Sequence, residues 1–194
     1  MPRIAPVEPP YDAAIGEQLE RMMPRGVPPI LLFRTLVRNP AMATAMERWG
    51  RYELGRELSL PMRDREIVIG RTCARCSCEY EWGVHVAFFA ERVGLTDGQI
   101  RSITHGTASD RCWERARDRL LIEATDSLHT DATIGDELYG RLADELTEPE
   151  LLNLFMLCGW YHAISFTANA AQVDLEPTAP RFDDYRPGTP TDAH

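Results

Sequence analysis

Apolar residues recur along this chain at helical spacing, and no stretch alternates polar and apolar in the way a half-buried strand requires. The clearest case is Asp110 to Leu128, where Ala116, Leu120, Leu121 and Ala124 share one face and charged residues the other. Ala13 to Met23 makes a short helix stopped by Pro24, Gly26 and Pro28-Pro29, and Ile30 to Val37 makes a second. Asn39-Pro40 opens a helix to about Leu54, and Leu60-Pro61 opens another over Arg63 to Cys73, in which Gly70 trades propensity for close packing. A central helix is predicted from Ser77 to about Val93, with Ser77 as its N-cap and Gly94 as its C-cap. Thr96 caps a short helix, Asp97 to Ile103, and Gly135 to Leu146 gives one more. Thr147, with Pro149 early and Glu150 at the third position, opens a last helix to about Val173. That helix is apolar nearly all round, so it is expected in the interior or at a subunit interface. The expected fold is all-α.

Composition narrows the classes. The 194 residues are 44% hydrophobic and 26% charged, ordinary material for one globular domain. A net charge of −9 and a pI near 5.1 argue against nucleic acid or an anionic membrane as partner. The first ten residues are proline-rich without the apolar core of a secretory signal, and no run reaches the eighteen apolar residues of a membrane span. A cytoplasmic location is therefore expected, with the five cysteines reduced unless redox-active. Residues 1–44 read as an N-terminal helical extension, 45–173 as the main domain and 174–194 as a proline-rich acidic tail, mobile or strapping.

Candidate chemistry concentrates in Glu66 to His85, which holds three cysteines, three carboxylates and one histidine. Cys78 falls in the first turn of the central helix, where backbone donors favour a thiolate. Glu81 and His85 are four apart and stack on one face. Glu66 reaches the same place if the preceding helix packs antiparallel. Taken singly, each residue has an ordinary reading: buried cysteines, a solvent-facing helical pair, glutamates in water. Their joint spacing is what points to a site.

That spacing resembles the carboxymuconolactone decarboxylase and alkyl hydroperoxidase D (AhpD-like) superfamily. The hydroperoxidase branch has a glutamate, a Cys-x-x-Cys twelve residues on, and a histidine four residues after the second cysteine. Glu66, Cys78, position 81 and His85 fall on those spacings, followed by Gly94-Leu95-Thr96-Asp97. The departure is Glu81, which stands where the second cysteine would be and looks more like the decarboxylase branch. The resemblance covers about Ala45 to Leu128, and more weakly Leu151 to Val173. It implies a helical bundle that assembles as a homo-oligomer (dimer, trimer or hexamer) and acts on a small molecule without a cofactor.

Three functional readings follow. The first is acid–base, decarboxylase-type lyase chemistry on a small carboxylated or carbonyl substrate, with His85 as base, Glu81 orienting its ring and Glu66 as second carboxylate. Trp82 and Tyr80 would wall the pocket, and Arg63, Arg65 or Arg71 would hold a substrate carboxylate. Tyr161 or His162 would touch the substrate if the last helix lines the site, although His162, seven residues before Asn169, also reads as a core histidine. The second is peroxidase or thiol–disulfide chemistry at Cys78, with Cys76 or Cys73 as resolving thiol. The third is a member that binds without turnover. A zinc clip of Cys73, Cys76, Cys78 and His85 crowds its ligands onto one junction and is disfavoured, so neither metal nor cofactor is expected. Cys112 and Cys158 read as structural thiols; His105, His129 and His194 carry no signal.

Overall fold

The computed structural model describes residues 1–186, so the last part of the expected tail, with His194, lies outside the described residues. Among those residues there is no strand, and the order is α1 (Ala13–Met22), α2 (Leu31–Leu36), α3 (Pro40–Glu53), α4 (Met62–Arg75), α5 (Glu79–Phe89), α6 (Asp97–His105), α7 (Ala116–Asp131), α8 (Asp136–Glu145) and α9 (Glu148–Ala171). Single 3-10 turns cover Glu91–Val93 and Phe182–Tyr185. The fold is all-α. Helix starts follow local chemistry: the Asn39 side chain accepts from Met42 N–H, and Thr96 with Gln99 and Thr147 with Glu150 form reciprocal capping boxes. Gly94, at φ 66°, ends the turn after α5. Two boundaries differ from the sequence reading. Segment 110–115 is irregular, so α7 starts later than Asp110. The α4–α5 junction is tighter than expected, with Cys78 and not Ser77 as N-cap, because Ser77 takes the left-handed conformation at φ 52°.

Helix α4 is the axis, packed by α5, α6, α7 and α9, and every residue from Asp64 to Cys73 is buried. Burying Ile67, Val68 and Ile69 contributes about 1.5–3 kcal/mol each. Gly70 lets α6 come close, since a Cβ there would lie 3.1 Å from Ile103 Cγ2. The charges on α4 are buried too, and a buried charge requires a partner. Asp64 accepts from Arg117 at 2.5 Å, and Arg117 also pairs with Glu150 of α9 at 2.6 Å. Arg71 grips both oxygens of Asp126 on α7 at 2.7 Å. These pairs fix the register of α4 against α7 and α9.

The chain's two end segments wrap this body. Arg3 N–H donates to Ala171 O at 2.8 Å, and Arg34 Nε donates to Val7 O at 2.8 Å. Glu176 Oε1 takes hydrogen bonds from Leu31 N–H (2.6 Å) and from Tyr80 OH (2.7 Å). Phe182 N–H donates to Glu79 Oε1 at 2.7 Å, and the Phe182 and Tyr185 rings lie 4.9 and 5.6 Å from Trp82. The segment 174–186 is thus a strap. It passes so close to α5 that a Cβ on Gly83 would sit 2.7 Å from Pro180 O.

Helix α9 divides lengthwise. Leu154 and Leu157 are buried, while Leu152 (64%), Met156 (50%) and Phe166 (62%) are exposed. By length and composition alone α9 could cross a bilayer, contrary to the expectation of no such run, and half of that stretch is packed inside the molecule.

Candidate active site

The antiparallel packing of α4 and α5 brings Glu66 and His85 together. His85 Nδ1 donates to Glu66 Oε2 at 2.7 Å, and Arg65 Nε holds Glu66 Oε1 at 3.1 Å. On the other side of the ring, Nε2 lies 3.5 Å from Glu81 Oε1 and 3.1 Å from the Tyr161 hydroxyl. The ring stacks near Phe89 at 5.2 Å and meets Tyr161 edge-on at 5.1 Å. All four polar groups are buried. Glu81 Oε2 is also buried, and it has no hydrogen-bond partner. A small cavity of about 10 Å³, lined by Glu66, Gly70, Trp82, His85, Ile100 and Ile103 among others, has room for about one water molecule.

Burial works against charge on His85, but Glu66 first and Glu81 second outweigh it and raise the ring to about 9. At neutral pH the ring is therefore an imidazolium. An imidazolium cannot take up a proton, which disagrees with the expectation of His85 as base, and the carboxylate oxygen left without a partner is Glu81's. With Nε2–H donating to it, the Tyr161 hydroxyl keeps its own proton to give, and burial pushes its ionisation well up.

Cys78 caps α5 beside this cluster and is fully buried. Burial raises its thiol to about 11, against the opposing pull of the Glu81 N–H at the helix start. The expected thiolate is absent at neutral pH, because desolvation exceeds what one helix terminus supplies. Cys73, Cys76 and Cys78 gather around the Ser165 hydroxyl, which reaches Cys73 Sγ at 3.9 Å. None of the five cysteines is in a disulfide.

The other expected residues fall into two groups. Trp82 and Tyr161 line the site, and Trp82 Nε1 is buried without a partner. Arg71, Arg63 and Tyr80 are committed elsewhere. Arg71 binds Asp126 and the Ile103 and Gly106 carbonyls; Arg63 binds Asp118 and the Val93 and Gly94 carbonyls; Tyr80 spans Leu32 N–H and Glu176. Of the arginines proposed for a substrate carboxylate, Arg65 alone reaches the cluster. His162 turns to His129, whose Nδ1 is 2.9 Å from its Nε2, a contact the sequence reading had not foreseen for His129.

Residues 40–125 match the carboxymuconolactone decarboxylase family. That stretch of the chain is similar to the family. The fold agrees with an uncharacterized peroxidase-related protein from Silicibacter sp. TM1040 (TM-score 0.72, 13% identity, 94% of this chain and 96% of that one). It agrees also with the debrominase Bmp8 in its apo form (0.70, 13%, 90% and 92%). A Cys-to-Ala variant of Bmp8 in complex with 2,3,4-tribromopyrrole superposes similarly (0.71, 12%, 90% and 91%). No protein of curated function matches the sequence significantly. Glu66, Glu81 and His85 lie inside the matched residues.

Proposed function

We propose that this protein is a cofactor-independent lyase that moves protons on a small carbonyl or carboxylated substrate. The supporting observation is the buried Glu81 Oε2, unpartnered beside an imidazolium and a neutral phenol. Glu81 takes a proton from carbon. His85, held charged by Glu66, and Tyr161 donate to the oxyanion that develops, an arrangement worth several kcal/mol in a dry site. Decarboxylation follows the same logic, since losing CO2 leaves the enolate that His85 then protonates. Arg65, already paired to Glu66, is the nearest cation for the substrate carboxylate. The exposed apolar stripe Leu152, Met156, Phe166 supports a homo-oligomer with α9 at its interface.

The test is proton NMR of β-keto acids and lactone carboxylic acids in D2O with the reduced protein. Deuterium uptake or CO2 loss is expected with wild type and a drop of about 100-fold or more with Glu81→Gln. Turnover unchanged in Glu81→Gln sinks the assignment.

The three thiols around Ser165 favour a second reading. Cys78 Sγ attacks a hydroperoxide oxygen, releasing the alcohol and leaving a sulfenic acid, and Cys73 or Cys76 then condenses with it to a disulfide and water. The thiol raised to about 11 requires Glu81 as its base. A brief alkyl hydroperoxide pulse followed by mass spectrometry separates the readings. Cys78 oxidising ahead of Cys112 supports thiol chemistry, and an inert Cys78 removes it.

A further inference from the structure

A second cluster forms where α4 ends. Cys76 at the end of α4, His129 in the last turn of α7 and His162 in the middle of α9 come together half-buried, their ligand atoms all within 4.8 Å of one another. His129 Nδ1 is 2.9 Å from His162 Nε2 and 3.9 Å from Cys76 Sγ. Tetrahedral zinc with ordinary Zn–N and Zn–S lengths sets its ligand atoms about 3.3–3.6 Å apart, between those two values.

The surroundings prepare these atoms for a metal. His162 Nδ1–H donates to the Cys158 carbonyl at 2.8 Å, which fixes the tautomer and leaves the Nε2 lone pair facing the cluster. Cys76 is anchored as well: its carbonyl accepts from Asn169 Nδ2 of α9 at 2.9 Å. The three helices that carry the ligands pack on one another directly. Cys158 Sγ lies by the other nitrogen of His162, 3.8 Å from Nδ1, and takes a hydrogen bond from Thr72, so it faces away from the cluster.

We infer that Cys76 Sγ, His129 Nδ1 and His162 Nε2 form a binding site for a borderline-soft divalent cation of the zinc type. Two imidazoles and one thiolate select such ions over magnesium or calcium, which prefer oxygen. Three protein ligands leave the fourth tetrahedral position open to water or a small anion. Binding moves the His129 proton to its Nε2 and releases the Cys76 thiol proton to solvent. An occupied site also withdraws Cys76 from any disulfide with Cys78.

The test is a titration of reduced, untagged, chelator-stripped protein with Co2+, read by absorption, then displacement by Zn2+. Saturation at one equivalent per chain is expected, with intense visible bands and a thiolate-to-cobalt band in the near ultraviolet. Cys76→Ser should lose the thiolate band, and His129→Ala or His162→Ala should lose saturable binding. Glu66→Gln and Cys158→Ser should bind like wild type. Helix content by circular dichroism, matched across variants, separates lost ligation from lost folding. Absence of saturable Co2+ or Zn2+ binding overturns the site, as does wild-type binding in His162→Ala or binding abolished by Cys78→Ser instead of Cys76→Ser.

Discussion

Replacing Glu66 by Gln isolates the charge that governs His85. The amide keeps a hydrogen-bond acceptor beside Nδ1 but removes the carboxylate 2.7 Å away. Burial then has only Glu81, at 3.5 Å, to oppose it. The ring is expected to fall from about 9 to its ordinary 6.5 or lower. That difference corresponds to about 3 kcal/mol between its charged and neutral forms. A histidine whose folded pKa is raised stabilises the fold fully below its unfolded value, and this support fades as pH climbs from 6.5 through about 9. Wild type should thus lose stability over that window, and Glu66→Gln should not. The assay is side-chain nitrogen NMR of 15N-histidine protein, with His85→Gln assigning the signal, alongside denaturant melts at pH 6 and pH 10. A wild-type His85 that titrates near 6.5, or a midpoint unmoved by Glu66→Gln, refutes the account of an imidazolium donor.

Two further outcomes test other parts of the structure. Gly83→Ala drives a Cβ to 2.7 Å from Pro180 O and 3.3 Å from Ala179 Cβ, so the strap should lift at a cost of about 1–3 kcal/mol; faster proteolysis within 174–186 would show it, and unchanged cleavage would count against the strap's grip. Glu53 is buried with no hydrogen-bond partner on either oxygen, and burial raises it to about 7, the nearby Trp49 opposing only in part. A carboxyl raised this way favours the folded state while protonated, so stability should decline between pH 4.5 and 7. Glu53→Gln, which cannot titrate, should flatten that decline in pH-dependent melts.

Local signals in the sequence located most elements. Thr96 and Thr147 cap their helices because the reciprocal partners, Gln99 and Glu150, sit three residues away. Glu66, Glu81 and His85 could be grouped because four-residue spacing and one helical hairpin bring them together, and the family spacing named the same residues. The remaining features depend on partners far along the chain. Arg71 looked free for a substrate, yet Asp126 is 55 residues away. His129 showed no signal because Cys76 and His162 lie 53 and 33 residues from it. The Cys78 thiolate failed for a different reason: a position in the first turn is visible in sequence, and complete burial is not.

The strap over Trp82 also orders events in time. Phe182 and Tyr185 leave the ribosome after every residue they cover, and Glu176 after both Leu31 and Tyr80, which it joins. During synthesis the helices around His85 can pack while the α5 face at Trp82 and Gly83 still lies bare. The newborn chain therefore passes through a stage with the ground around Trp82 less shielded than in the finished protein, and chaperones or proteases acting then would meet a different surface.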